Sequence, residues 1–105
     1  MRNGIKSNAK YQLNSFLHSE ESFQYDIDPY DIVILHEIAY AQDLHMESCL
    51  LTQKNLAKKC RMSLRQIKTR LSKLVEIKLL CRKKNWKLYV HVLSNVILKQ
   101  EVIYK

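Results

Sequence analysis

The stretch SLRQIKTRLSKLVE, from Ser63 to Glu76, constrains the fold more than any other part of this chain. Ser63 stands three positions before Gln66, the spacing at which a serine hydroxyl caps a backbone N–H and a glutamine amide reaches back to the cap. Leu64, Ile67, Leu71 and Leu74 then recur at spacings of 3, 4 and 3, with Val75 beside them. That pattern gives a helix with one narrow apolar face, which must lie on a core. Placed at 100° intervals, the opposite face carries Arg65, Gln66, Thr69, Lys73 and Glu76, with Lys68, Arg70 and Ser72 on the flanks.

The neighbouring segments punctuate this helix on both sides. TQKNLAKKC reads as a short basic helix capped by Thr52, with Leu56 and Ala57 inward and Lys54, Lys58 and Lys59 outward. Arg61 and Met62 break its pattern. Further upstream, DIDPYD supplies a cap at Asp28, the fixed φ of Pro29 at the first helical position, and Asp31 against the helix dipole. A helix is predicted from Pro29 to about Asp43, with Ile32, Leu35, Ile38 and Ala39 at helical spacing and Val33, Ile34 and Tyr40 alongside. Cys49, Leu50 and Leu51 are too few for a helix and suit a short strand ending at Thr52.

Downstream of Ile77 the period changes to two. Trp86, Leu88, Val90 and Val92 alternate with Lys87, Tyr89 and His91, which predicts a half-buried strand. Leu79 to Arg82 is its expected antiparallel partner, with Lys83, Lys84 and Asn85 in the turn. The last stretch, SNVILKQEVIYK, fits a helix capped by Ser94 or a strand. At 105 residues there is room for one core. The expected organisation is a mobile or loosely packed arm over residues 1–27, a folded domain over 28–93 and a C-terminal segment over 94–105. The LNSFLHSEES part of the arm is ambiguous between a short helix, a strand and a flexible tether.

Charge divides the chain sharply. Residues 1–51 hold three basic side chains against eight acidic ones, whereas residues 52–93 hold thirteen against the single acid Glu76. So basic a segment repels itself unless a polyanion neutralises it, and nucleic acid is the commonest such partner in the cytosol, with anionic lipid as a rival. A solvated lysine-rich surface explains a modest excess but explains this asymmetry poorly.

Other function classes find little support. With Gly4 the only glycine, no phosphate-cradling loop, dinucleotide fingerprint or nucleophile elbow can be written, so no catalysis is expected. Cys49, Cys60 and Cys81 form no C-x-x-C pair, and the i, i+4 pair of His45 and Cys49 lacks a second pair to complete a metal site, so no metal or other cofactor is expected. No apolar run approaches the roughly 18 to 20 residues of a membrane span, and the first residues lack a signal-peptide core, so a cytoplasmic protein is expected.

Taken in order, these elements make a helix, a short strand, a short helix, a tight turn, a longer helix and a hairpin. The stretch TQKNLAKKCRMSLRQIKTRLSKLVEIKLLCRKK resembles the winged helix-turn-helix DNA-binding domains of bacteria, their phages and plasmids. It has Thr-Gln before Leu-Ala, Ser opening the longer helix and Leu-x-x-Leu closing it. The similarity covers about residues 29–93, and it looks nearest to plasmid and phage replication-protein domains, then to repressors of the multiple-antibiotic-resistance type.

The resemblance implies an α+β, mainly helical fold: a three-helix core, a two-stranded β-wing and an extra C-terminal helix or strand. It implies a non-catalytic protein that binds specific double-stranded DNA and acts by occupancy in replication or transcription, without membrane or small-molecule substrate. Position by position, it makes Arg65, Gln66, Thr69 and Lys73 the base-reading candidates, although Gln66 has a competing use in the cap. Thr52, Gln53, Lys54, Lys58, Lys59, Ser63, Lys68 and Arg70 become candidates for phosphate. Arg82, Lys83, Lys84, Asn85 and Lys87 form the wing, with Trp86 placed in the core or stacked on a base.

Such modules commonly act as homodimers, with Val96 to Tyr104 as the candidate contact or as a cover for the core. Where family members usually carry glycine, this chain has Arg61 and Lys78, which must adopt positive φ at a cost or use another turn. A rival reading is an interaction module that engages a protein through its acidic first half.

Overall fold

The computed structural model describes residues 9–45, 51–85 and 88–98. Its described elements are four α-helices, one 3-10 turn and a two-stranded antiparallel sheet, an α+β and mainly helical arrangement. In chain order they are α1 (Ala9–Leu17), the 3-10 turn (Glu20–Gln24), α2 (Pro29–His45), α3 (Gln53–Cys60), α4 (Leu64–Glu76), β1 (Leu80–Asn85) and β2 (Leu88–Leu93). None of the described helices is long and apolar enough to cross a membrane.

α2 is the central rod, packed against α1, α3 and β2, while α4 packs against α3 and β1. Ile34, Leu35, Ile38 and Ala39 of α2 meet Leu13 and Phe16 of α1, Leu56 and Ala57 of α3, and Ile67, Leu71 and Leu74 of α4 in one apolar cluster. Each fully buried Leu or Ile contributes about 1.5–3 kcal/mol of transfer free energy, so this cluster is what fixes the back of α4. The expected apolar faces are corrected at their edges: Ile32 is half-buried, and Val33, Tyr40 and Leu64 are exposed.

The N-terminal segment is a correction of larger scale. Residues 9–24 are a structural part of the domain and not a loose arm, because Leu13 and Phe16 are buried in the core and Phe16 stacks edge-on with Tyr25. The first N–H groups of α1 have no partner inside their own helix. Those of Ala9 and Lys10 donate to the Asp43 carboxylate of α2, at 2.6 and 3.1 Å.

The helix starts follow from their caps. Thr52 Oγ1 accepts from the Asn55 N–H, and Ser63 Oγ from the Gln66 N–H, each at 3.1 Å. At the start of α2, Asp28 and Asp31 cap each other reciprocally: Asp28 Oδ1 accepts from the Asp31 N–H at 3.0 Å, and Asp31 Oδ2 from the Asp28 N–H at 3.1 Å.

The two positions that lack glycine both adopt the left-handed conformation, Arg61 at φ 57° and Lys78 at φ 69°. Each ends a helix in the same way. The Met62 N–H donates back to the Ala57 carbonyl and the Leu79 N–H to the Leu74 carbonyl, both at 3.0 Å. A side chain costs about 1–2 kcal/mol in this region, and glycine loses part of that gain to its freer unfolded chain. Arg61→Gly and Lys78→Gly are therefore expected to stabilise the fold by about 0.5–1 kcal/mol each, read as a higher urea midpoint; a lower midpoint for both would contradict this account.

β1 and β2 pair in register from Leu80 opposite Leu93 to Asn85 opposite Leu88. The turn expected at Lys83, Lys84 and Asn85 is thus displaced, since these residues belong to β1, and the connecting residues 86 and 87 lie outside the described residues. Leu51 is not in a strand, and the rest of the expected strand, Cys49 and Leu50, also lies outside.

The base of the hairpin is tied down. The Ser94 N–H donates to the Leu79 carbonyl at 3.0 Å, Ser94 Oγ to the Lys78 carbonyl at 2.7 Å, and the Leu93 N–H to Gln42 Oε1 of α2 at 2.8 Å. After Ser94 the chain makes a turn that buries Ile97. Val96 to Leu98 thus lie against the core, the second of the two uses expected for this segment; residues 99–105 lie outside the described residues.

Candidate nucleic-acid interface

The buried Ile67, Leu71 and Leu74 point the other side of α4 outward. Arg65, Gln66, Lys68, Thr69, Ser72 and Glu76 are all exposed on it. Beside it, α3 exposes Lys54, Lys58 and Lys59, and β1 exposes Arg82 and Lys83, with Gln53 half-buried. Burial holds His36 and His91 below the ordinary histidine pKa, so neither adds positive charge at neutral pH. The Cys60 thiol is pushed up to about 11 by burial, which keeps it protonated and unreactive.

Capping consumes two of the candidate groups. Gln66 Oε1 accepts from the Ser63 N–H at 3.1 Å, and the Ser63 hydroxyl accepts from the Gln66 N–H. Bidentate recognition of adenine needs the amide oxygen and nitrogen of glutamine together. Gln66 is thus a capping residue before it is a reader, and Ser63 Oγ is committed in the same box. Thr52 Oγ1 accepts at its cap, which leaves its O–H free to donate outward. Thr69 Oγ1 donates to the Arg65 carbonyl at 3.0 Å, so it presents a methyl group and an acceptor lone pair.

Two more candidates are held by the protein itself. Arg70 Nη1 lies 2.8 Å from both Asp28 oxygens and 3.1 Å from Asp31 Oδ1, and its guanidinium rests over the Tyr30 ring at 5.0 Å. Lys73 Nζ donates to Asp31 Oδ2. The Asp31 side chain is fully buried, whereas those of Arg70 and Lys73 are 22% and 34% exposed. The Arg70 hydrogen bond holds the Asp28 carboxyl below the usual carboxylate range, and Asp28 in turn raises Arg70, so this pair is charged at neutral pH. Arg70, expected as a phosphate contact, and Lys73, expected as a base reader, are thus both held in internal ion pairs.

Asp28, Tyr30 and Asp31 were not among the expected site residues. Their D-P-Y-D cap is visible locally, but the cations they hold lie about forty residues further along the chain, at separations of 39 and 42. Asp28, Arg65, Gln66, Thr69, Arg70 and Lys73 together line one open depression between the start of α2 and the outer face of α4.

Of the wing candidates, Arg82 and Lys83 are exposed, Lys84 and Asn85 lie in β1, and Lys87 is outside the described residues, as is Trp86. Among the described residues all three ion pairs belong to Arg70 and Lys73, so Arg65 and Lys68 enter none. What the arrangement offers chemically is hydrogen-bond donors and positive charge on a helix whose back is locked. Comparison with known protein families, with curated proteins and with solved structures found no match to this chain.

Proposed function

We propose that this protein is a winged helix-turn-helix module that binds specific double-stranded DNA, with α4 in the major groove. An α-helix fits that groove, and the base edges there differ for every pair. The observation that carries this reading is the outer face of α4, where Arg65, Lys68 and Thr69 stand exposed over a buried leucine and isoleucine seam. In this reading Arg65 reads a guanine edge and Thr69 an adjacent base. Lys54, Lys58 and Lys59 on α3 and the Thr52 hydroxyl at its cap hold phosphate together with Lys68, and Arg82 and Lys83 on the β-ribbon touch the flanking backbone. The protein then acts by occupancy at a plasmid or phage origin or at a promoter.

A second reading, a module that engages a protein partner, is favoured by one surface. Tyr30, Val33, Tyr40 and Leu44 are exposed along one side of α2, at 58%, 42%, 48% and 58%. If the module is a homodimer, this stripe is one exposed apolar surface available for it, and sedimentation of the intact chain reads that state.

Titration against a mixed duplex pool separates the two readings. Six cationic contacts predict an affinity that falls about a thousandfold between 50 and 200 mM salt, and selection from random duplexes should return a preferred site. Absence of duplex binding at 50 mM salt would overturn the DNA reading in favour of the protein partner.

A further inference from the structure

We propose that Asp28 and Asp31 set the selectivity of the α4 face by withholding Arg70 and Lys73 from the phosphate backbone. The inference rests on the duplex-binding reading above. In a specific complex the base contacts fix the register, so only cations aligned with the backbone in that register reach phosphate, whereas in a non-specific complex any free cation finds one; a freed cation therefore strengthens non-specific binding more than specific binding. A cation locked to an internal carboxylate contributes to neither, so the ratio of specific to non-specific affinity depends on which cations a protein leaves free.

On this protein the sorting is geometric. The depression beside α4 is lined by three cations, Arg65, Arg70 and Lys73. Two of them are held, Arg70 by both oxygens of Asp28 and by Asp31, and Lys73 by Asp31. The third, Arg65, is exposed and enters no ion pair among the described residues. The holding carboxylates differ in exposure as well: Asp31 is enclosed, but the Asp28 side chain is 44% exposed at the rim of the depression. With two carboxylates set against two cations, this side of the depression is close to neutral and gives phosphate little attraction, which leaves the backbone to Lys68 and the α3 lysines. Duplex is then held mainly through residues whose reach depends on α4 sitting properly in the groove.

Asp28→Asn tests this in the full chain, because asparagine caps a helix as well as aspartate and keeps an oxygen for the Asp31 N–H. A selected duplex and a scrambled duplex of equal length are titrated over a range of salt. The variant is expected to bind the scrambled duplex about fivefold more tightly, with a log–log salt slope steeper by about 0.9, while affinity for the selected duplex changes less than twofold. Asp28→Asn combined with Arg70→Met should lose that gain. Glu20→Gln, the same charge change on an exposed residue outside the depression, should move both duplexes alike and by less than twofold.

A gain that is equal for both duplexes, no gain, or a gain that survives loss of Arg70 would overturn the withholding role and leave the duplex reading standing. Failure of the unaltered protein to bind any duplex at low salt would remove both.

Discussion

Replacing Asp31 by alanine is expected to destabilise the protein by about 3 kcal/mol. The side chain is fully enclosed and serves three donors: the Asp28 N–H at the start of α2, Arg70 Nη1, and Lys73 Nζ. Removing one member of a buried ion pair costs about 3–5 kcal/mol, because the remaining charge is left without compensation. Here both cations keep partial access to water, which places the loss at the lower end of that range. For a domain whose total stability is about 5–15 kcal/mol, such a loss is a large share.

Asp31→Asn separates the contributions. It retains an acceptor for the Asp28 N–H and removes only the charge, so about half the loss is expected. Urea denaturation of the three proteins checks this through the shift of midpoint at constant slope. A loss below about 0.5 kcal/mol for Asp31→Ala would place the carboxylate among solvated surface groups, whose substitutions have effects of that size.

Arg65→Ala carries the other large effect, and it falls on binding instead of folding. Arg65 is exposed on α4 and contributes no buried surface to the core, so its removal should leave the unfolding midpoint within about 0.5 kcal/mol of the parent. A bidentate arginine–guanine contact is worth about 1–3 kcal/mol of discrimination. Affinity for the preferred duplex should therefore fall about 5- to 150-fold, and selection should relax at one base position. Lys68→Ala provides the contrast: it should weaken all duplexes alike and flatten the salt slope by about 0.9. If Arg65→Ala weakened every sequence equally, Arg65 would be a phosphate contact and the reading register of α4 would have to shift.

Much of this architecture is legible in local spacing. Thr52 with Asn55 and Ser63 with Gln66 declare where α3 and α4 begin, because a cap and its N–H lie three residues apart. The resemblance singles out Arg61 and Lys78 as positions where glycine is usual and leaves open whether a side-chain-bearing residue takes the left-handed conformation there; both do. α1 was not, because its few apolar residues gain their meaning from α2, which only the folded chain places beside them. The register of the hairpin slipped for a similar reason: Lys83 and Asn85 are turn-tolerant residues, but cross-strand pairing carries them into β1.

The largest gap lay in the site. A count of basic residues treats Arg70 and Lys73 as free, and no periodicity reveals that two acids some forty positions earlier hold them. Helical geometry alone put Arg65 and Thr69 outward, and they are exposed there.

The clasp at Ser94 has a mechanical consequence. One hydroxyl and one amide fasten the foot of the ribbon to the two residues that leave α4, and Gln42 moors the last rung to the central rod. Ribbon and helix thereby form a single lever. A force applied at Arg82 or Lys83 on the ribbon is carried through these hydrogen bonds to the end of α4 and to α2.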